Sequence, residues 1–160
     1  MRFQHQIAYD SPPDTVYAML VDPSFRQRVC QALRASRHEV TVERHAGGMS
    51  VVVDHTQPSR GVPSFARKLV GEEIRIVQRE QWADRSRGLL VLDIPGKPGR
   101  LDGDITLTGS PEGSLETVTG DLTVKVPIVG GRLEGLVADL LHRALEAEQR
   151  VGRAWLAGAG

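Results

Sequence analysis

The chain has 160 residues, of which 40% are hydrophobic and 25% are charged, and this size and balance are typical of one globular domain with its own core. Lys and Arg together number 20, as do Asp and Glu, so the formal net charge is zero. A neutral chain is disfavoured as a nucleic-acid-binding protein, because neutralising phosphates needs a strong positive field.

The first elements predicted along the chain are a strand and two short helices. Residues 2–9 alternate polar and apolar side chains, and one face carries Phe3, Ile7 and Tyr9. Ser11 is expected to cap a helix that starts at the prolines after it, and Asp22-Pro23 ends that helix. A second helix follows, and nearby basic residues are interpreted as its solvated face: Arg26, Arg28, Arg34 and Arg37.

The next predicted element is a hairpin of strands 38–45 and 48–56 around Gly47-Gly48, because two glycines can adopt the positive φ of a tight turn. This turn places Val42 opposite Val53. The inner face of the hairpin then carries mainly apolar residues, with one histidine near the strand end: Val40, Val42, Met49, Val51, Val53 and His55.

Residues 57–70 contain two prolines and a glycine, and predict a loop followed by a short helical turn. This segment is either a portal above the inner face, gated by Arg60 and Phe65, or an ordinary connection. Two strands follow at 71–82 and 87–94. In the first of these, Gln78, Glu80 and Trp82 share the parity of Ile74 and Ile76, which places them on the inner face.

A further hairpin is predicted from strands 101–109 and 115–126, joined by a loop at 111–114 that sets Leu107 opposite Val118. Gly103 and Gly120 then point inward. Small residues there either leave room for a ligand or permit the sheet to curve, and the sequence supports both interpretations equally.

The chain ends in one long predicted helix over residues 131–157, about 40 Å long at ~1.5 Å per residue. Its apolar stripe includes Leu141, and Glu148 lies close to that stripe. The expected fold is α+β: a curved antiparallel sheet of six to seven strands wrapped on the long C-terminal helix, with two short helices after strand 1. Residues 1–157 form one domain, and 158–160 form a frayed tail.

Several local strings resemble the START-like superfamily, the polyketide cyclase/dehydrase and lipid-transport group. Residues 11–23 (SPPDTVYAMLVDP) are similar to its opening strand-to-helix segment, and residues 125–134 (KVPIVGGRLE) to its junction of last strand and long helix. Residues 80–82 (EQW) and 63–69 (PSFARKL) resemble one member family, domain of unknown function 2505. The resemblance implies a helix-grip fold with a cavity for lipids, sterols, polyketides or other apolar molecules; shared fold does not transfer chemistry.

We therefore expect a ligand site between the sheet and the last helix. Its candidate residues are His55, Phe65, Gln78, Glu80, Trp82, Gly103, Gly120, Leu141 and Glu148. The first hypothesis is binding or carriage of a small hydrophobic ligand in a dry cavity of a few hundred cubic ångströms. The alternatives are a cyclase or aromatase, which needs two or more ionisable groups converging in the cavity, and a non-catalytic protein-interaction domain with a filled core. Enzymatic activity is left open, with binding favoured.

The histidine spacing predicts no metal site, and the sequence contains no nucleotide-binding fingerprint, so no cofactor is expected. Cys30 is interpreted as a small core thiol, and one cysteine alone favours a reducing, cytoplasmic location. No signal peptide and no integral membrane segment are predicted. The partner is expected to be a small apolar molecule rather than nucleic acid.

Overall fold

The computed structural model describes residues 1–159, which form seven strands and four helices followed by a π-helical turn. The elements are β1 Arg2–Tyr9, α1 Pro13–Leu20, α2 Pro23–Ala32, β2 Arg37–His45, β3 Gly48–Pro58, α3 Ser64–Val70, β4 Glu73–Trp82, β5 Arg87–Asp93, β6 Gly99–Ser110, β7 Gly113–Val124 and α4 Gly130–Ala154, with the π turn at Trp155–Ala159. The predicted frayed tail reaches Gly160, which lies outside the described residues.

All seven strands join in one antiparallel sheet of order β1-β7-β6-β5-β4-β3-β2. The helix α4 packs on the inner face of this sheet, mainly against β1 and β7, and α2 packs between α4 and β2. The predicted α+β helix-grip fold is confirmed. An antiparallel sheet with one solvent-exposed face must bury its apolar face against another element, and here that element is the long helix α4.

Both predicted hairpin registers are wrong by two residues. Val42 lies opposite Val51 rather than Val53, because the first turn consists of Ala46 and Gly47, with Gly47 at φ +83°. Leu107 lies opposite Glu116 rather than Val118, because the other turn is only two residues long. A shift of two residues keeps every side chain on the same face of its strand, so the predicted inner faces hold.

The first helix begins differently from the prediction. Pro12 rather than Ser11 occupies the N-cap position, and no side-chain hydrogen bond caps this helix end. The second helix starts as expected after Asp22, whose carboxylate accepts a hydrogen bond from the backbone N–H of Ser24 at 2.9 Å. Both helices have proline in their first turn, where the missing N–H costs no hydrogen bond.

The core divides into two clusters along α4. The larger lies between α1, α2 and the sheet and contains Phe3, Tyr9, Phe25 and Trp82. The smaller lies under α3 and around the first half of α4. Among the helices of residues 1–159, none combines the length and the apolar character that crossing a membrane requires.

Candidate functional site

A cavity of about 70 Å³ lies between the inner face of the sheet and the helices α2 and α4. Its walls are mostly apolar side chains from six strands and both helices. Five polar side chains also reach it: His55, Gln78, Glu80, Glu116 and Glu148. A smaller space of about 30 Å³ adjoins it and shares His55, Gln78 and Glu148. The cavity is smaller than the few hundred cubic ångströms expected from the sequence.

Five of the nine predicted site residues line this cavity: His55, Gln78, Glu80, Leu141 and Glu148. The other four do not. Trp82 is 1% exposed and packs edge-on against Tyr17. Phe65 sits on α3, where the guanidinium of Arg132 lies 4.5 Å from its ring centroid. Their placement at the cavity is therefore corrected.

Gly103 and Gly120 lie directly opposite each other on β6 and β7. A Cβ atom added to Gly103 would come within 2.0 Å of the backbone oxygen of Thr119, and one added to Gly120 within 2.6 Å of the oxygen of Asp102. Neither residue lines the cavity. The two glycines therefore permit a close approach of the strand backbones, and the expectation that they leave room for a ligand is wrong.

One end of the cavity is closed by a buried ion pair between α2 and β4. The Arg26 guanidinium donates to both carboxylate oxygens of Glu80, at 2.8 and 3.0 Å, and its Nε donates to the Leu20 carbonyl oxygen at 2.9 Å. Arg26 is 4% exposed and Glu80 is 2% exposed. The interpretation of Arg26 as part of a solvated helix face is therefore wrong, although Arg28, Arg34 and Arg37 are exposed.

Further donors complete the hydrogen bonding of Glu80. The indole N–H of Trp82 donates to it at 2.7 Å, and the side-chain amide of Gln78 donates as well. Burial raises the pKa of Glu80, but the charge of Arg26 and the hydrogen bonds from Arg26, Trp82 and Gln78 outweigh burial and hold the pKa below its usual value. Glu80 is thus a buried carboxylate with all its charge compensated.

Two other buried carboxyl groups lack such partners. Glu116 on β7 is 3% exposed, and its Oε2 atom has no hydrogen-bond partner within residues 1–159. Burial and the nearby Glu148 and Glu80 raise the pKa of Glu116 well above its usual value. Burial also raises the pKa of Glu148 on α4 to about 7, against the opposing effect of Arg26. Each of the two carboxyl groups therefore keeps its proton to a higher pH than an exposed glutamate does.

Two more polar groups near this end are buried without partners. Both ring nitrogens of His55 are unpaired within the described chain, and burial lowers the pKa of His55, so its imidazole is neutral at pH 7. The Tyr9 hydroxyl is also unpaired there and packs against Gly152, where an added Cβ would lie 2.8 Å from the hydroxyl oxygen. Buried polar atoms without partners are uncommon and mark sites where a ligand or water would bind.

Sequence reasoning missed Arg26 and Glu116. The signal for Glu116 was present, since it shares the parity of Val118, Gly120 and Leu122 on β7 and must therefore point inward. For Arg26 the signal was weaker. It lies one helical turn before Cys30, which is 2% exposed, so both residues face the core. Burial raises the pKa of the Cys30 thiol to about 11, as for an unreactive core thiol.

A second, almost wholly apolar cavity of about 70 Å³ lies under α3, between the first half of α4 and the loop between β5 and β6. The two cavities are neighbours along the same strands. On β4, Ile76 lines the first cavity and Ile74 lines the second. Leu92 on β5 likewise lines the first cavity, and Ile94, two residues further on, lines the second. Two residues along a strand span about 6.6 Å. A single layer of side chains therefore separates the two cavities, below the segment interpreted as a portal.

A family model described as "Protein of unknown function (DUF2505)" matches residues 4–156. An uncharacterized protein of Mycobacterium tuberculosis is 28% identical over 116 residues, which cover 69% of this chain and 67% of that protein. An uncharacterized protein of Mycobacterium bovis matches with the same identity and coverage.

Solved structures share the fold at low sequence identity. TTHA0849 from Thermus thermophilus has a TM-score of 0.69 at 19% identity and covers 100% of this chain and 99% of its own. The di-domain ARO/CYC protein StfQ from the steffimycin biosynthetic pathway has a TM-score of 0.67 at 14% identity, over 99% of this chain and 51% of that protein. Ara h 8.0201 has a TM-score of 0.61 at 11% identity, over 95% and 97% of the two chains.

Proposed function

The chain belongs to the family described as protein of unknown function (DUF2505), and from this premise we propose that it binds a small hydrophobic molecule in the cavity between the sheet and α4. The observation that carries the proposal is a mainly apolar wall interrupted by buried polar atoms without partners, Glu116 Oε2 and the His55 ring nitrogens. Such an atom costs about 1–3 kcal/mol when left unpaired. An apolar wall with few polar groups is the usual form of a small-molecule site.

The size of the cavity limits the occupant. A cavity of about 150 Å³ holds benzene, so about 70 Å³ admits a fragment smaller than one aromatic ring. A larger ligand has to displace half-buried wall residues such as Leu33, Leu92 and Leu141. These three side chains come from a helix end, a strand and α4, and none of them takes part in the ion pair of Arg26.

The test is native mass spectrometry of the protein purified from its own host, followed by extraction of any bound molecule. We expect a stoichiometric apolar ligand that is lost in Leu141→Trp, since the larger side chain fills the cavity. Leu89→Trp is the matched control, because Leu89 is 61% exposed and does not line the cavity. An apo mass that persists after incubation with fatty acids, sterols and aromatic polyketides would sink the proposal and favour the protein-interaction alternative.

A cyclase or aromatase is the second candidate, and one observation favours it. Glu148 lines the cavity with a pKa of about 7 because of burial, so near neutral pH it can both accept and donate a proton. The fold similarity to the ARO/CYC protein is compatible with this candidate. If it is correct, Glu148→Gln abolishes product formation from a linear polyketide-like substrate while leaving binding intact. Loss of both together indicates a binding role only.

For the compartment we propose the cytoplasm. The support is chemical: Cys30 is a free, buried thiol, and proteins of reducing compartments keep such thiols unoxidised. Localisation of a tagged full-length protein in its host tests this, and recovery in an extracellular fraction would contradict it.

A further inference from the structure

The polar end of the cavity contains more buried acidic groups than basic ones. Glu80, Glu116 and Glu148 are each at most 8% exposed, and Arg26 is the buried cation beside them. Arg26 directs two of its nitrogens to Glu80 and the third to the Leu20 carbonyl. The Arg26–Glu80 pair is therefore neutral as a unit, and Glu116 and Glu148 have no cation of their own among the described residues.

Both uncompensated carboxyl groups line the cavity, and they come from opposite walls, Glu116 from β7 of the sheet and Glu148 from α4. Taking a carboxylate out of water costs several kcal/mol unless a cation or several donors replace the water. In the unliganded protein a retained proton neutralises the carboxylate and so avoids this cost, as the raised pKa of each group indicates. A bound cation would offset the same desolvation cost by pairing directly with the carboxylate.

His55 provides an independent indication of a polar ligand atom. It is 7% exposed, lines the same cavity from β3, and both of its ring nitrogens are unpaired within residues 1–159. A neutral imidazole offers one donor and one acceptor. Together with Glu116, it shows that the cavity has unused hydrogen-bonding capacity on two different strands.

We propose that the ligand of this cavity carries one protonated nitrogen, as an aliphatic ammonium or amidinium group, which Glu116 and Glu148 bind, while its apolar part contacts the hydrophobic wall. This inference rests on the proposed function and names the chemical class of its ligand. An anionic ligand would meet three buried carboxyl groups, and a neutral ligand would leave the pair to be neutralised by its retained proton alone. An ammonium group supplies up to three N–H donors and one positive charge.

The proposal implies proton release on binding. A primary amine is protonated below about pH 10, so it enters charged, and one carboxyl group of the pair releases its proton to the solvent as it pairs with the ammonium group. His55 on β3 lines the same cavity, and burial lowers the pKa of its imidazole below 6.5, so it is neutral over the upper part of the pH range tested. The other titratable groups facing the pair are Arg26 on α2, Glu80 on β4 and Tyr9 on β1. Burial raises the pKa of the Tyr9 hydroxyl further above its usual value, and both members of the ion pair stay charged, so these three do not titrate between pH 5.5 and 8.

The experiment is isothermal titration calorimetry of the full chain with n-hexylamine, 1-hexanol and hexanoate, which share one apolar chain and differ in charge. At pH 7.5 we expect hexylamine to bind at least tenfold more tightly than hexanol, and hexanoate to bind most weakly. Titrations in two buffers of different ionisation enthalpy should show about one proton released with hexylamine and none with hexanol. Hexylamine affinity should rise between pH 5.5 and 8.

The double variant Glu116→Gln/Glu148→Gln should bind hexylamine and hexanol equally. The matched control is Glu112→Gln/Glu146→Gln, which removes two exposed carboxylates from the β6–β7 turn and from α4 and should keep the amine preference. The comparison of the three probes uses the unaltered chain, so its result does not depend on whether the variants fold. Hexanol binding as tightly as hexylamine, without proton release, overturns this inference and leaves the proposed function standing. Failure of all three probes to bind overturns both.

Discussion

Arg26 on α2 and Glu80 on β4 form a buried ion pair with two hydrogen bonds, 2.8 and 3.0 Å long, that joins the second helix to the middle of the sheet. The two residues are 54 positions apart in the chain. Because Trp82 and Gln78 also donate to Glu80, the hydrogen bonds of the pair connect four side chains, of which Gln78 and Glu80 line the cavity. The net contribution of the pair to stability depends on both partners being present.

Removing one partner of this pair should destabilise the fold strongly. We expect Arg26→Met to lower the free energy of unfolding by about 3–5 kcal/mol, since an uncompensated buried carboxylate remains. Urea unfolding of the variant measures this. The control is Arg75→Met, which breaks the exposed pair of Arg75 with Asp54 and should cost less than about 1 kcal/mol. Equal losses in the two variants would contradict the structure.

Glu148 should make stability depend on pH. Its pKa is about 7 in the fold because of burial, against 4.5 for an exposed glutamate. The folded state therefore binds this proton more tightly than the unfolded state, and the stabilisation is complete below pH 4.5 and is lost as pH rises through about 7. The total is on the order of 3 kcal/mol at ~1.4 kcal/mol per pH unit.

This pH dependence is measured by urea unfolding of the unaltered chain and of Glu148→Gln at pH 5 and pH 8. The variant should gain stability relative to the unaltered chain on going to pH 8, because glutamine has no proton to lose. Asp139→Asn removes an exposed carboxylate from the same helix and should follow the unaltered chain. Identical pH profiles for all three proteins would show that Glu148 is not desolvated.

The histidine pair His5 and His142 should produce the opposite trend. Their Nδ1 atoms lie 2.8 Å apart and join β1 to α4, a contact that requires one of the two nitrogens to be unprotonated. Burial and then the charge of His142 lower the pKa of His5 below 6.5, although Glu146 opposes this. The contribution of His5 is therefore complete above pH 6.5 and is lost as pH falls through its lowered folded pKa.

Proton-detected NMR titration of the imidazole resonances measures the pKa of His5 directly. We expect it to move toward 6.5 in His142→Leu, because both the neighbouring charge and the contact disappear. His45→Leu is the control, since His45 lies at the far end of β2 and is exposed, and it should leave the titration of His5 unchanged. A His5 titration insensitive to His142→Leu would show that the pair does not form.

Ile128 should be a site where substitution increases stability. It lies between β7 and α4 with φ at +69°, and its side chain is fully exposed. A β-branched residue is strained in this left-handed region, and the strain is typically about 1–3 kcal/mol. Ile128→Gly should therefore raise the melting temperature, whereas Ile128→Val, which keeps the branch, should leave it unchanged. Thermal unfolding followed by circular dichroism makes the comparison.

The sequence predicted the fold well because its strongest signals are periodic. Alternation along β6 and β7 and the apolar stripe of α4 depend only on local spacing. The hairpin registers were less accessible, since Gly47 and Gly48 can each occupy a turn position. In the structure Gly48 belongs to β3, where an added Cβ would lie 1.9 Å from the backbone oxygen of Trp82. That close approach depends on the tertiary structure, and the spacing of residues in the sequence does not predict it.

The candidate site was predicted in part for a related reason. Parity correctly placed His55, Gln78, Glu80 and, from the helix stripe, Glu148 at the cavity wall. Arg26 was assigned to the solvated face because it is charged and lies close to other basic residues, although it follows the buried Phe25 and lies one turn before the buried Cys30. Whether Glu116 has a hydrogen-bond partner depends on which side chains of β4, α2 and α4 pack next to it. The local sequence pattern around Glu116 does not predict this packing.

The arrangement of the two cavities has a consequence for the shape of an occupant. They follow one another along α4 and are separated by one layer of side chains that includes Ile76 and Leu92. Rotation of a few such side chains would join them lengthwise into a narrow tunnel. Widening the interior sideways would instead have to separate the helices from the sheet, against the Arg26–Glu80 ion pair and the His5–His142 contact. The interior is therefore extensible along the helix and rigid across it, and it favours slender, flexible molecules over broad, fused ring systems.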